Sequence, residues 1–475
     1  MGFMELDALR KRLAAHGQEH LLEFADALTA EQRAKLVADI QSLDLEQLAR
    51  LYELSKKPHA EIDPHAVQPM EAISLPTSDA ERSRDQEMFQ VGLERLRTGK
   101  VGVVLVAGGQ GTRLGFEHPK GMFPIGPVSG ASLFQIHAEK ILAWSRKAGK
   151  PIPWYIMTSP NNHQETAEFF ASQRYFGLPR EDVRFFVQGT MPALELENGK
   201  VLLSQKHEVF TGPNGHGGTL LAMKSEGVLA DLAARGIEDV YYFQVDNVFV
   251  KILDPVFLGH HHHSGANVSI KVIRKEHAEE KLGLAVRYQG KPTVIEYSDL
   301  PSELGGQIDA HGQLRYWTGS IAIHVFERAF LDRITAAGGG LPFHFARKAV
   351  PYINSSGELT QPKKPNALKF ETFIFDCLPM AERVMVLETD RHDEYEPVKN
   401  SAGEHSPALV QAAMTRKAAS WLKAAGIPFP QNSTGESAVP LEVSPLAALN
   451  EEEFTKRFAG RPAIQKATYF QLEGP

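Results

Sequence analysis

VGVVLV (Val101–Val106) runs directly into AGGQGTRLG (Ala107–Gly115), with Pro119, Lys120 and Gly121 close behind. A short apolar, β-branched run reads as a buried strand, and the glycine cluster as the loop it feeds. Glycines let a backbone approach a phosphate closely and turn its N–H groups toward it. Arg113 and Lys120 add positive charge at the same mouth, the first suited to bidentate phosphate contacts and the second a mobile point charge. Two familiar glycine motifs are absent. The Gly-Lys-Ser/Thr of a P-loop is missing, and after Gly109 and Gly111 the third glycine, Gly115, falls one place late for the G-x-G-x-x-G dinucleotide fingerprint. A plain strand-to-helix turn is the competing reading, and the glycines together with both cations favour the phosphate loop.

Outward from this stretch, strand and helix patterns alternate. A helix is expected near Ser132–Ala148, a strand at Trp154–Thr158, a helix at Gln164–Ser172 and a strand at Val183–Val187. A helix near Thr219–Arg235 and a strand at Val240–Val245 follow. Repeated units of this kind predict an α/β fold, a Rossmann-like and mainly parallel sheet flanked by helices. Residues 266–325 hold short strand-like runs between Gly, Pro and Asp turns, so part of the sheet there is expected to be antiparallel. Residues 1–57 read as amphipathic helix, with Leu21, Leu22, Phe24, Ala25 and Leu28 at helical spacing. A proline-marked linker covers Lys57, Pro58 and Ile62–Ser78, and a helix covers Ala80–Thr98. The expected division is an N-terminal helical segment with linker at 1–98, a central domain at 99–394 and a small C-terminal domain at 395–475. The tract His260–His263 reads as part of an ordinary helix or loop, because adjacent histidines on a helix point in different directions.

The 475 residues carry 51 basic and 58 acidic side chains, a formal charge of −7, which argues against general nucleic-acid binding. With Cys377 as the only cysteine, no disulfide and no cysteine-built zinc site can form within the chain. Met1–Asp7 lacks the basic and apolar regions of a signal peptide, and no stretch approaches the roughly 20 apolar residues of a membrane span. A cytoplasmic protein is expected. Asp246 ends the apolar run YYFQV, which puts a carboxylate at the sheet edge where open α/β folds bind ligands. It reads equally as a magnesium ligand or as the opening of a turn with Asn247.

At this point the sequence resembles a known family. AGGQGTRLGFEHPKG (Ala107–Gly121) closely matches the signature of eukaryotic-type UDP-sugar pyrophosphorylases, and most of all their N-acetylhexosamine branch. The likeness continues in order through PWYIMTS (Pro153–Ser159), FVQGTMP (Phe186–Pro192), GHGG (Gly215–Gly218), VDN (Val245–Asn247), VIEYS (Val294–Ser298), PNALKFETFIFD (Pro365–Asp376) and EYEPVKN (Glu394–Asn400). One such motif would mean little, whereas an ordered set spanning about Val101 to Asn400 is specific.

The resemblance implies a nucleotide-diphospho-sugar transferase fold with 99–394 as the catalytic domain. It implies a Mg²⁺-dependent reaction of UTP with a sugar 1-phosphate, giving a UDP-sugar and pyrophosphate. Such a displacement needs alignment of two anions and neutralisation of charge rather than a nucleophilic triad. By resemblance, Arg113 and Lys120 hold the UTP phosphates and Lys399 reaches the sugar phosphate. Asp246 would ligate the metal, with Asp376 as a second ligand. The nucleotide would lie against Ala107, Gly108, Gly109, Gly111, Gln188 and Gly215, where an amide such as Gln188 can pair with the imide edge of uracil. The sugar would meet His216, Gly283, Glu296, Tyr297, Phe373 and Phe375, the two phenylalanines reading equally as core.

Two departures bear on the sugar. The N-acetylhexosamine branch carries Gly-Asn-Gly-Gly where this chain has Gly215, His216, Gly217 and Gly218, and Asn-Ala-Gly-Asn where it has Trp317, Thr318, Gly319 and Ser320. The expected substrate is N-acetylglucosamine 1-phosphate, with glucose or galactose 1-phosphate as the alternative. A sugar-nucleotide-binding regulator without catalysis is a second alternative, disfavoured by the presence of Arg113, Lys120, Asp246 and Lys399 together. A nucleotide-linked oxidoreductase is a third, disfavoured by the misspaced glycines. Neither nucleic acid nor membrane is an expected partner, and both a monomer and a homo-oligomer fit.

Overall fold

In a computed structural model, which describes residues 3–57, 61–336 and 340–472, Val101–Val106 is an almost wholly buried strand. Residues 58–60 of the expected linker and residues 1–2 lie outside the described residues. The chain forms two compact units. One gathers the described residues of Met1–Glu61, Gln188–Leu220 and Gly340–Asp376, the other those of Ile62–Val187, Leu221–Gly339 and Cys377–Pro475.

The second unit is built on a 10-stranded mixed sheet. Its strands are β1 (Val67–Pro69), β2 (Val101–Val106), β3 (Trp154–Thr158), β4 (Val183–Val187), β5 (Asp239–Gln244), β6 (Val268–Arg274), β7 (Leu284–Tyr288), β8 (Lys291–Ile295), β9 (Thr318–Glu327) and β10 (Val384–Glu388). The main path runs β1-β7-β9-β5-β2-β3-β4, with β6 joining β9 to β10 and β8 pairing β7. β5, β2, β3 and β4 are mutually parallel. β9 is antiparallel to both β5 and β6, and β7 to β8, so the antiparallel portion falls where the turn-rich 266–325 segment placed it. The chain leaves β2 for β3 and β4 on one side, then returns to β5 on the other. The C-terminal end of β2 is therefore the point where strand order reverses, the place where open α/β sheets receive ligands.

Local signals set the helices. Ser132 accepts from the Gln135 N–H (3.1 Å) to open Leu133–Ala148, and Gly149 closes it in the left-handed conformation. Ser78 and Glu81 form a reciprocal capping box at the start of Asp79–Arg97. The helix expected over Thr219–Arg235 is instead two, Gly218–Ser225 and Val228–Ala234, because Gly227 sits between them at φ +71°, a left-handed turn no helix continues through. The histidine tract lies in the helix Pro255–Ser264, where His260 meets Asp85 (2.9 Å) and His261 meets Ser269 (2.7 Å). In the C-terminal part of this unit, the helices Pro407–Ala424 and Glu451–Phe458 and the parallel pair Leu441–Val443 and Thr468–Phe470 enclose Leu422, Phe454, Phe458 and Phe470.

The first unit packs the helices Ala30–Ser42 and Leu45–Ser55 with the antiparallel strands Leu194–Glu195, Ala367–Glu371 and His344–Lys348. Its core includes Leu21, Leu36, Ile40, Leu203 and Phe370. No helix among the described residues is long and apolar enough to cross a membrane.

The glycine loop is seated on the helix that follows it. A Cβ on Gly121 would fall 2.2–2.4 Å from ring atoms of Phe134, itself fully buried. Gly121→Ala is expected to cost about 1–3 kcal/mol, the usual range for overpacking, read as a lower urea midpoint. An unchanged midpoint would mean that the loop is not seated on Phe134.

Candidate active site

The carbonyls of the glycine loop are held from behind. The buried Asn162 side chain donates to the Ala107 carbonyl (3.0 Å) and the Gly109 carbonyl (3.4 Å), while its Oδ1 accepts from the Ser159 N–H (2.8 Å). The loop closes on itself through Gly111 N–H to the His118 carbonyl (2.9 Å) and Lys120 N–H to the Gly109 carbonyl (3.1 Å). A Cβ on Gly111 would lie 2.8 Å from the Phe116 carbonyl oxygen, so this turn needs glycine. Among the described residues no hydrogen bond occupies the N–H groups of Gly108, Gly109 and Gln110. Such a run of available donors suits an anion.

β5 delivers the next group. The Lys120 ammonium lies 3.5 Å from Asp246 Oδ2, with both side chains less than a fifth exposed. Asn247 then pins the neighbouring chain: its amide donates to the Glu394 carbonyl (2.8 Å) and its Oδ1 accepts from the Glu396 N–H (3.0 Å). The Val398 N–H donates to the Asp246 carbonyl (2.9 Å), and the Lys399 N–H to the His405 carbonyl (2.9 Å). Lys399 Nζ stands 3.4 Å from the Tyr395 hydroxyl. Burial works against the Lys399 charge, but Asp246 and Tyr395 outweigh burial and the repulsion of Arg113, holding the ammonium above its ordinary value. Arg113 is exposed and makes no ion pair among the described residues. Lys120 pairs with the one carboxylate, Lys399 is drawn to it and Arg113 stands near enough to Lys399 to repel it, an excess of positive charge fit for a polyanion.

Also in the second unit, Gly283 accepts from the Ser320 N–H (2.8 Å), and a Cβ there would lie 3.2 Å from Glu296 Oε1. Tyr297 is 49% exposed. Trp317 carries the Arg274 guanidinium over its ring at 4.2 Å.

The first unit holds Gln188, Gly215, His216, Phe373, Phe375 and Asp376. Gln188 donates to the Gly215 carbonyl (3.0 Å). The His216 ring stacks on Phe373 at 5.4 Å and meets Phe375 edge-on at 5.8 Å. Its Nδ1 accepts from the Ile374 N–H (3.3 Å). Burial, then His344, push this imidazole down to about 4, so it is neutral at physiological pH with its proton on Nε2. Asp376 pairs with His344 Nε2 (2.8 Å).

Among the described residues no cluster of three or more His, Cys, Asp or Glu is placed to hold a metal. Asp246 alone still fits one. Mg²⁺ is commonly held by one or two carboxylates plus substrate phosphates, and this oxygen ligand stands among groups that attract phosphate. Several residues here carry roles that sequence reasoning did not assign: Asn162, Asn247, Tyr395, His405 and His344. Asn162 had a signal, since it follows the strand motif PWYIMTS by three residues at the same sheet edge.

A sheet whose switch point offers unused backbone donors and surplus cations is built for a nucleoside polyphosphate, and the chain is a nucleotidyltransferase. It belongs to the UTP–glucose-1-phosphate uridylyltransferase family, whose profile matches residues 45–475. Enzymes of this family generally use a divalent metal. The chain is 37% identical over 476 residues to UDP-N-acetylglucosamine diphosphorylase 2 of Arabidopsis thaliana, with 96% of this chain and 92% of that protein covered. It is 36% identical to UDP-N-acetylhexosamine pyrophosphorylase-like protein 1 of Homo sapiens, with 95% of each chain covered. The crystal structure of the uridine diphosphate N-acetylglucosamine pyrophosphorylase of Trypanosoma brucei, in complex with an inhibitor, superposes with a TM-score of 0.81 at 25% identity, covering 99% of both chains. The motif resemblance and the α/β fold it implied are borne out.

Proposed function

We propose that this chain transfers a uridylyl group from UTP to N-acetylglucosamine 1-phosphate, releasing pyrophosphate. The observation that carries the reading is Lys120 paired with Asp246 at the switch point of the sheet, with Lys399 drawn to the same carboxylate and Arg113 near Lys399. The names of the relatives from Arabidopsis thaliana and Trypanosoma brucei support the sugar. In this reading a phosphate oxygen of the sugar 1-phosphate attacks the α-phosphorus of UTP. The new O–P bond forms as the bond to the bridging oxygen breaks, and that oxygen leaves with the electron pair as pyrophosphate. Arg113, Lys120 and the N–H groups of Gly108, Gly109 and Gln110 bind and orient the UTP phosphates. Lys399 aligns the attacking phosphate and offsets the repulsion between the two anions. Asp246 would hold a Mg²⁺ ion, which supplies charge neutralisation on the phosphates when bound. Gln188 and Gly215 are assigned to uracil recognition, and His216, Gly283, Glu296, Tyr297, Phe373 and Phe375 to the sugar. Asp376 is assigned as a second metal ligand, a role that requires it to give up His344. A reducing, cytoplasmic location agrees with the single buried cysteine, Cys377.

The test is pyrophosphate release from UTP and Mg²⁺ with N-acetylglucosamine, N-acetylgalactosamine, glucose or galactose 1-phosphate. N-acetylglucosamine 1-phosphate is expected to give the highest kcat/KM, and excess chelator to abolish release until Mg²⁺ is restored. A preference for glucose or galactose 1-phosphate, the reading that His216 and Trp317 favour, would overturn the sugar assignment. Silence across the panel from folded protein would leave a sugar-nucleotide-binding regulator.

His216→Asn restores the branch's usual residue. It is expected to shift the kcat/KM ratio of N-acetylglucosamine to glucose 1-phosphate by about tenfold toward the former, a normal size for one pocket contact. An unchanged ratio removes His216 from the sugar-selecting set.

A further inference from the structure

A cavity of about 310 Å³ lies inside the second unit, and none of Arg113, Lys120, Asp246 or Lys399 lines it. One wall is the helix Leu133–Ala148, a second the segment Val248–Val256, and a third comes from the C-terminal elements through Met414, Lys417, Trp421 and Tyr469. Its volume is in the range of small-molecule sites. Trp144, Phe249 and Trp421 give it flat apolar walls.

Its charges are unevenly satisfied. Among the acids, Asp254 is bound to Lys271 (2.6 Å) and Glu139 to Ser444 (2.7 Å) and Gln135 (2.9 Å). Glu442 accepts from the Val128 and Ser129 N–H groups (2.8 and 2.7 Å) and the Ser129 hydroxyl (2.6 Å). Lys417 donates to the Asp393 carbonyl (2.6 Å) and lies 3.4 Å from its carboxylate. Lys251 pairs with the same carboxylate at 3.3 Å. Lys140 is the exception. Its ammonium donates to the Val248 and Val250 carbonyls (2.6 and 2.9 Å), and among the described residues it has no ion pair. Burial, then the neighbouring Lys417, push it down to about 7. Lys140 thus faces the cavity with only carbonyls in hydrogen-bond reach and Glu394 drawing on it from farther off, and an anion in the cavity would hold the charge that burial disfavours.

We propose that this cavity is a binding site for a small organic carboxylate with a flat apolar body, its carboxylate on Lys140 and its body against Trp144 and Trp421. The carboxylate completes the charge of Lys140 through a charge-assisted hydrogen bond, and the indoles supply area without demanding polar partners from the ligand. The site stands independently of the uridylyltransferase reading.

Titration calorimetry on the full chain with indole-3-carboxylate, and with indole-3-carboxamide as the uncharged comparator, tests this. The carboxylate is expected to bind at least about tenfold more tightly than the amide, the return of one charge-assisted bond. Saturating UTP should leave both affinities unchanged. Lys140→Met should remove the tenfold advantage while leaving amide binding intact, and Trp421→Leu should weaken both probes. Should Lys140→Met fail to fold, Trp421→Leu and the UTP competition still decide. Equal binding of the two probes, a carboxylate advantage that survives in Lys140→Met, probe binding indifferent to Trp421→Leu, displacement by UTP, or no binding of either probe each overturns the proposal.

Discussion

Lys399→Ala will lower kcat by about 10²–10³-fold, the loss seen when one preorganised charge donor is removed from a reacting centre. The fold will survive. The backbone bond from Lys399 to His405 does not involve the side chain, and among the described residues the side-chain hydrogen bond lost is the long 3.4 Å contact with Tyr395. The effect is large because this half-buried ammonium is held charged by Asp246 and Tyr395, where screening by water is reduced. The check is steady-state pyrophosphate release beside near-UV circular dichroism. A folded variant retaining more than about a tenth of the parental kcat would show that Lys399 is an ordinary surface-type lysine and not part of the reacting set.

Lys271→Met will cost about 3–5 kcal/mol of stability, the range for breaking a buried ion cluster by removing one member. Lys271 and Glu394 are both fully buried. The ammonium donates to both Glu394 oxygens (2.7 and 2.6 Å) and to Asp254 (2.6 Å). Thr389 and the Lys251 N–H also donate to Glu394 (2.6 and 3.1 Å), so the carboxylate is placed by several elements at once. Without Lys271, a fully buried carboxylate and a mostly buried one remain without their shared cation. Urea midpoints measure the loss, and pH gives its sign. In the parent, burial raises the Asp254 value, but Lys271 and Lys251 outweigh it and hold the carboxyl below its ordinary range. Its contribution is therefore complete above pH about 4, the unfolded value, and fades as pH falls through the lower folded value. In the variant Asp254 loses the cation that most lowers its value while burial still raises it, so its carboxyl moves up and the penalty will shrink as pH drops from 8 toward 5. A penalty below about 1 kcal/mol at pH 8, or one that grows on acidification, would show that the cluster does not act as an ion cluster.

Much of the second unit was legible because its signals are local. Trp154–Thr158 and Val183–Val187 are mostly apolar runs with the bounds their sequence suggests, and Ser132 announces the helix after the glycine loop. Arg113 and Lys120 were visible because they travel with the loop they serve. The single helix read over Thr219–Arg235 failed at Gly227, where periodicity continued but the backbone turned left-handed. The first unit escapes a reading along the chain for a different reason. Leu194–Glu195 pairs with Ala367–Glu371, and nothing in either segment names the other. Asp376 could be seen as a carboxylate, but its partner His344 is set by the strand His344–Lys348. Asn162 and Asn247 read as common turn residues, and their roles appear only when the backbones they staple are in place.

That stapling ties together two groups far apart in sequence. Asn247 fastens the turn behind Asp246 to the chain leading to Lys399, so the spacing of carboxylate and ammonium belongs to one rigid corner. Gly283 and Glu296 sit instead on the separate hairpin side of the sheet, around β7 and β8. With the sugar role proposed for these two residues, a lineage could trade one sugar for another by exchanging residues there without retuning the chemistry. A laboratory library would do best to hold 245–247 and 394–399 constant while varying the hairpin.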